Sequence, residues 1–211
     1  MLMVRVFYTD ISDLPSSVEG LMLSDYRLNK LEKISLPGKR KQSIGAELLL
    51  NYALCKLHPE LEPPFEIDIN EYGKPKFTNL SLEFNLSHSA NFAVCAVSDK
   101  EIGVDAQENT SYNQRIAERY YTENEKLSIE RAEDKDYEFS RIWSAKESAV
   151  KYLGLGLSKS LDLVYLKNKN TILVEPEKNE LNFFHTFIKN LHISVCGNWE
   201  EDICIEYVDL K

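Results

Sequence analysis

The chain has 211 residues, 43% of them hydrophobic and 28% charged, with a formal net charge of −9. That length holds one large domain or two small ones. The balance of apolar and charged residues is that of a soluble globular protein, and the acidic excess argues against general nucleic-acid binding.

Leu2–Tyr8 alternates and reads as a strand. Arg5 and Asp10 interrupt the start of the chain, so it lacks the uncharged core of a secretory signal. No apolar run reaches the roughly 20 residues that span a bilayer. A cytoplasmic protein without membrane attachment is expected. Leu14–Ile34 reads as a helix closed by Pro37-Gly38, and Gln42–Leu57 as an amphipathic helix ended by His58-Pro59. Phe65–Ile69 is a short strand and Tyr72–Pro75 a turn. Leu82–Leu86, Asn91–Val97 and Ile102–Ala106 read as strands.

The period then changes. Asn113–Tyr121, Glu123–Arg131 and Tyr137–Leu153 read as helices. Leu163–Leu166, Thr171–Val174, Leu181–Phe187, His192–Cys196 and Ile203–Val208 read as strands. The pattern predicts two α/β halves of α+β type, 1–100 and 101–211, joined near Ser98–Glu101. No residue-level repeat is visible.

Charge is uneven. Residues 21–45 hold Arg27, Lys30, Lys33, Lys39, Arg40 and Lys41 against only Asp25 and Glu32, a local balance of +4. This island fits either one localised anion or a solvated helix face. Cys55, Cys95, Cys196 and Cys204 show no metal-binding or disulfide spacing with one another or with His58, His88, His185 and His192. Reduced, buried thiols are expected.

Three segments carry chemistry. In Phe84-Asn85-Leu86-Ser87-His88-Ser89 a strand delivers a hydroxyl and an imidazole, both able to meet a phosphate. Adjacent strand residues face opposite ways, so Ser87 and His88 are poorly placed as a nucleophile pair. In Gly103-Val104-Asp105-Ala106-Gln107, Asp105 and Gln107 share one strand face. In Trp143-Ser144-Ala145-Lys146-Glu147-Ser148-Ala149-Val150-Lys151, residues 143, 147 and 151 share one helix face. Gly154 and Gly156 stop this helix rather than open one, so they form no dinucleotide fingerprint. Gly38-Lys39-Arg40 likewise lacks the rest of a P-loop.

Taken in order, Tyr72-Gly73-Lys74-Pro75, Phe84–Ser89, Gly103-Val104-Asp105 and Trp143–Ser148 with Lys151 and Gly154–Leu157 resemble the 4′-phosphopantetheinyl transferases of the surfactin-synthetase-activating (Sfp) type. The resemblance runs from about Ser24 to Leu163. It implies two similar α/β halves forming a pseudo-dimer, with the active site in the cleft between them, in a monomer with an internal pseudo-twofold. It implies transfer of the 4′-phosphopantetheine of coenzyme A to a serine of an apo acyl or peptidyl carrier protein, with release of 3′,5′-ADP.

By residue match, Arg27 and Lys30 hold the 3′-phosphate, Ser43 and Lys74 approach the nucleotide, and Ser87 and His88 hold phosphates. Lys146 and Lys151 also belong to the coenzyme site. Asp105, Glu147 and Gln107 form the metal site, and Asp105, Glu147 and Lys151 carry the chemistry. Mg2+ suits such hard oxygens and takes few carboxylates, and Glu147 is the candidate base. Many members have an acid where Gln107 stands, so the site has one negative charge fewer. A binding module that kept the site without turnover is the alternative class, supported by Gln107 alone. A nucleic-acid binder lacks the aromatics and further basic patches it needs. Arg115–Tyr121 is a candidate carrier-docking surface, and core packing explains its tyrosines equally well.

Overall fold

The computed structural model describes residues 4–154, 163–166, 171–174, 179–199 and 202–210. Strand β1 (Arg5–Asp10) begins the first sheet. Helix α1 (Asp25–Glu32) starts only where Ser24 caps it, its Oγ accepting from the Arg27 N–H at 3.2 Å. Residues 14–24, expected as helix, are irregular, with Gly20 at a φ of 75°. Helix α2 (Pro37–Leu57) begins at the proline that was expected to end its predecessor. Proline lacks an N–H that a first helical turn leaves unpaired anyway, so it is accepted there.

The short hairpin β2 (Ile67–Ile69) and β3 (Pro75–Phe77) turns at Gly73, whose φ is 85°. Strands β4 (Glu83–Ser89) and β5 (Phe92–Ser98) pair antiparallel. Helix α2 buries Leu50, Ala53 and Leu54 with Phe7, Phe84, Cys95 and Val97.

Strand β6 (Ile102–Glu108) opens a second compact unit. Helices α3 (Gln114–Tyr120), α4 (Glu123–Glu130) and α5 (Lys135–Leu153) follow, capped by Asn113, Thr122 and Asp134. Strands β7 (Leu163–Leu166), β8 (Thr171–Val174), β9 (Asn179–Ile188) and β10 (Leu191–Gly197) complete an antiparallel sheet of order β6-β10-β9-β8-β7. The β9–β10 turn places Lys189 and Asn190 at positive φ, the geometry a two-residue hairpin favours. Helix α5 packs on β6, β10 and β9, burying Ile142, Ala145 and Ala149 with Ile172 and Cys196. On this sheet His192 bonds to His185 at 3.0 Å and to Asn109 at 3.1 Å. Burial lowers their pKa values to about 4 and about 3, so both rings are neutral.

One strand departs from the expected division at residue 100. Strand β11 (Cys204–Tyr207) pairs parallel with β1, in a sheet of order β11-β1-β5-β4. The first unit is therefore Met1–Glu101 with Glu200–Lys211, and the second is Ile102–Trp199. The fold is mixed α/β, and each unit carries one long helix on its sheet. All four cysteines are free, two of them buried. Among the described residues no helix is long and apolar enough to cross a membrane.

Candidate active site

The second unit brings Asp105, Glu147 and Lys151 together, and Gly103 explains how. A Cβ on Gly103 would stand 2.0 Å from the Ser148 carbonyl oxygen and 2.4 Å from the Tyr152 nitrogen. Only glycine lets the α5 backbone lie this close on β6. Two residues on, and on the same strand face, Asp105 meets the helix. Its Oδ1 accepts from Lys151 Nζ at 2.7 Å. Along α5, Trp143, Glu147 and Lys151 form a partly exposed line on a helix whose neighbouring positions are mostly buried. The helix ends one turn later at Gly154, in the left-handed conformation. Leu155–Leu157, the rest of that motif, lies outside the described residues.

Glu147 is the most perturbed acid of this group. Burial first, then the charge of Asp105, raises its pKa to about 7, and Lys151 offsets part of this. Its Oε1 is buried, with no hydrogen-bond partner among the described residues. A buried carboxylate oxygen is costly to leave unsatisfied, so this atom is set for a proton or a cation. Among the described residues no three His, Cys, Asp or Glu side chains cluster as a metal site. Two carboxylates fit a magnesium ion that completes its octahedron with phosphates and water, and do not fit an all-protein cage. Gln107 lies one strand step beyond Asp105, with Nε2 donating to the Glu108 carbonyl at 3.0 Å.

Lys146 is paired inside the second unit. Its ammonium is buried, donating to Glu125 Oε2 at 2.9 Å and to the Tyr120 carbonyl at 2.7 Å. Glu125 also accepts from the backbone of Thr122 and of Tyr165. One residue along a helix turns the side chain about 100° from that of Glu147, here into the interior, so the ammonium expected in the coenzyme site already has partners within the protein. Glu125 was missed as a partner, although Thr122-x-x-Glu125 is a visible capping box.

In the first unit α1 and α2 join Arg27, Ser43 and Lys30. Arg27 is only 4% exposed, and its Nε and Nη1 go to Glu47 Oε2 at 2.8 Å and Ser43 Oγ at 2.9 Å. Glu47, 20 residues away in sequence, left no signal. Lys30 lies one turn further, is exposed, and has no carboxylate partner among the described residues. Partial desolvation and then the charge of Arg27 lower its pKa. Lys74 is half-buried on the β2–β3 turn, which Asn70 Oδ1 ties by accepting from the Tyr72 and Lys74 N–H groups. Ser87 is buried and His88 exposed, on opposite faces of β4. Gln42, beside Ser43, donates to the Ala90 carbonyl at 2.9 Å and so ties the end of this strand to α2.

Comparison with known proteins bears on these residues. Residues 101–204, which contain the Asp105–Glu147–Lys151 group, match the model of the 4′-phosphopantetheinyl transferase superfamily. A 4′-phosphopantetheinyl transferase of Bacillus subtilis is 33% identical over 152 residues, covering 69% of this chain and 68% of that protein. A second from Bacillus subtilis, ffp, is 39% identical over 153 residues with the same coverage. The chain belongs to the 4′-phosphopantetheinyl transferase superfamily. Its relatives include Sfp of Bacillus subtilis strain 168, 38% identical over 125 residues, or 57% of this chain and 55% of Sfp. The resemblance to the Sfp type stands, and the chain is an enzyme of this transferase family. In the second unit Asp105, Glu147 and Lys151 form one group, while Lys146 is paired with Glu125.

Proposed function

We propose that this transferase moves the 4′-phosphopantetheine of coenzyme A onto a serine of an apo acyl or peptidyl carrier protein and releases 3′,5′-ADP, with Mg2+. The observation that carries this reading is the pairing of a buried Asp105 with a Glu147 whose pKa stands at about 7, beside Lys151. In the transfer, the serine oxygen bonds to the phosphorus that bears pantetheine. The bond from that phosphorus to the bridging oxygen of 3′,5′-ADP breaks. The serine proton passes to Glu147, directly or through water, and a pKa near working pH suits that task. Lys151 meets the charge that grows on the leaving group. A magnesium ion held by oxygens of Asp105 and Glu147 would neutralise charge on the phosphate under attack.

In the same reading Arg27 and Lys30 hold the 3′-phosphate, Ser43 and Lys74 the nucleotide, and Ser87 and His88 phosphate oxygens. The exposed Lys30 supports this, because its ammonium lies over the Tyr26 ring and meets no carboxylate among the described residues. Gln107 contributes a neutral oxygen to the metal. The enzyme acts in the cytoplasm, as a monomer.

The test is a panel of apo carriers from peptide-synthetase, polyketide and fatty-acid systems, incubated with coenzyme A and Mg2+. A mass gain of one phosphopantetheine on a carrier, with equimolar 3′,5′-ADP, is expected. No gain on any carrier, with the protein folded, overturns the reading. A Mg2+ titration of Gln107→Glu checks its role: an anionic ligand in that place lowers the Mg2+ midpoint, and an unchanged midpoint removes Gln107 from the metal's ligands.

A further inference from the structure

Asp105 and Lys151 differ in freedom. Asp105 is 6% exposed and sits on a strand that Gly103 presses against α5. The Lys151 side chain is 28% exposed and lies in the last turn of α5. Its flexible four-carbon stem can move where the strand cannot. The contact of 2.7 Å nevertheless matches one of the two carboxylates with a positive charge already within the protein. Glu147 Oε1, by contrast, has no hydrogen-bond partner among the described residues.

We propose that Lys151 is a resident competitor for the divalent cation at Asp105, so that the cation binds tightly only together with an anionic diphosphate that draws the lysine away. The argument is charge balance in a partly dry site. Two carboxylates neutralise one divalent cation. With Lys151 held against Asp105 as well, one positive charge is left over, and uncompensated charge is expensive away from water. A diphosphate removes the conflict: its oxygens take the ammonium and also reach the cation. Each ligand then binds better in the presence of the other, and that coupling is reciprocal. Gly103 lets the β6 and α5 backbones lie in contact, so the exchange is a side-chain movement. This inference deepens the proposed function and rests on it for the identity of the diphosphate, coenzyme A.

The test measures binding rather than turnover. Free Mn2+ is followed by electron paramagnetic resonance with the intact chain, for the parent, Lys151→Met and Lys151→Arg, each with and without coenzyme A. Without coenzyme A, Lys151→Met should bind Mn2+ about tenfold more tightly than the parent, an ordinary size for coupling between sites. Lys151→Arg keeps the charge and should stay close to the parent. Coenzyme A should tighten Mn2+ binding strongly in the parent and much less in Lys151→Met. Lys151→Gln replaces the Met variant if that one fails to fold. An Mn2+ affinity in the neutral variant equal to or weaker than the parent's overturns the proposal. So does an undiminished coenzyme A effect in that variant. Failure of coenzyme A to bind the parent, measured by calorimetry, strikes the proposed function instead and leaves the comparison without coenzyme A to decide the competition.

Discussion

The α-carbon of Gly103 faces the Ser148 carbonyl so closely that no side chain fits between β6 and α5. Gly103→Ala therefore forces the helix off the strand. A loss of about 1–3 kcal/mol in stability is expected for overpacking of this kind, with a weaker Mn2+ affinity because Asp105 and Glu147 are drawn apart. Gly38→Ala is the control. Among the described residues nothing lies within 4 Å of a Cβ placed there, so urea denaturation should show no loss.

Glu147 sets function against stability. Its folded pKa is raised to about 7, above the ordinary carboxylate value of 4.5. Between those two values the folded state holds a proton that the unfolded state releases. Stability from this group is thus full below about 4.5 and lost as pH rises through about 7. In chelator, Glu147→Gln should melt above the parent at pH 8, by up to about 3 kcal/mol, the equivalent of the shift. That gain should shrink toward pH 5. Transfer should fall roughly a hundredfold or more in the same variant. Equal melting of the two proteins at pH 8 would show that this carboxyl is not strained by its site.

Arg27 and Lys30 should separate cleanly. Arg27→Ala strands Glu47, which is 1% exposed, and a loss of about 3–5 kcal/mol is expected from breaking a buried pair. Lys30→Ala should leave stability within about 0.5 kcal/mol. It should weaken coenzyme A binding more than binding of 3′-dephospho-coenzyme A. Calorimetric binding of both ligands, with thermal melts, checks the pair. Equal losses for the two ligands would put Lys30 away from the 3′-phosphate.

Lys146→Met should behave as a packing mutation. Glu125 loses its cation in a site where both partners are 2% exposed, and about 3–5 kcal/mol of stability should go. Adding Glu125→Gln should recover part of it, since the two residues act as one unit. Coenzyme A affinity of the folded fraction should stay near the parent's. A selective loss of that affinity without loss of stability would return Lys146 to the coenzyme site.

Local pattern was readable and long-range pairing was not. Leu163–Leu166 and Thr171–Val174 were expected as strands with the bounds they have, because alternation and turn signals are local. The 143–147–151 spacing put Glu147 and Lys151 on one face for the same reason. Pro37 was misread because a proline both ends one helix and starts another, and only the continuation through Arg40 and Lys41 decides. The three-residue strand β3 is too short for a period. The burial of Arg27 against Glu47, and of Lys146 against Glu125, depends on which helix or strand meets which. Composition does not carry that information. The island of positive charge held both a buried arginine paired with Glu47 and an exposed lysine, and only packing tells them apart.

The parallel pairing of β11 with β1 has a consequence for biosynthesis. Arg5 registers with Cys204, so the first sheet of the protein waits for a strand translated nearly last among the described residues. Closing so long a span is entropically slow. All of Ile102–Trp199 leaves the ribosome before that strand does. The second unit therefore has time to fold while the first still exposes the edge of β1 to other nascent chains, an open edge being a template for unwanted pairing.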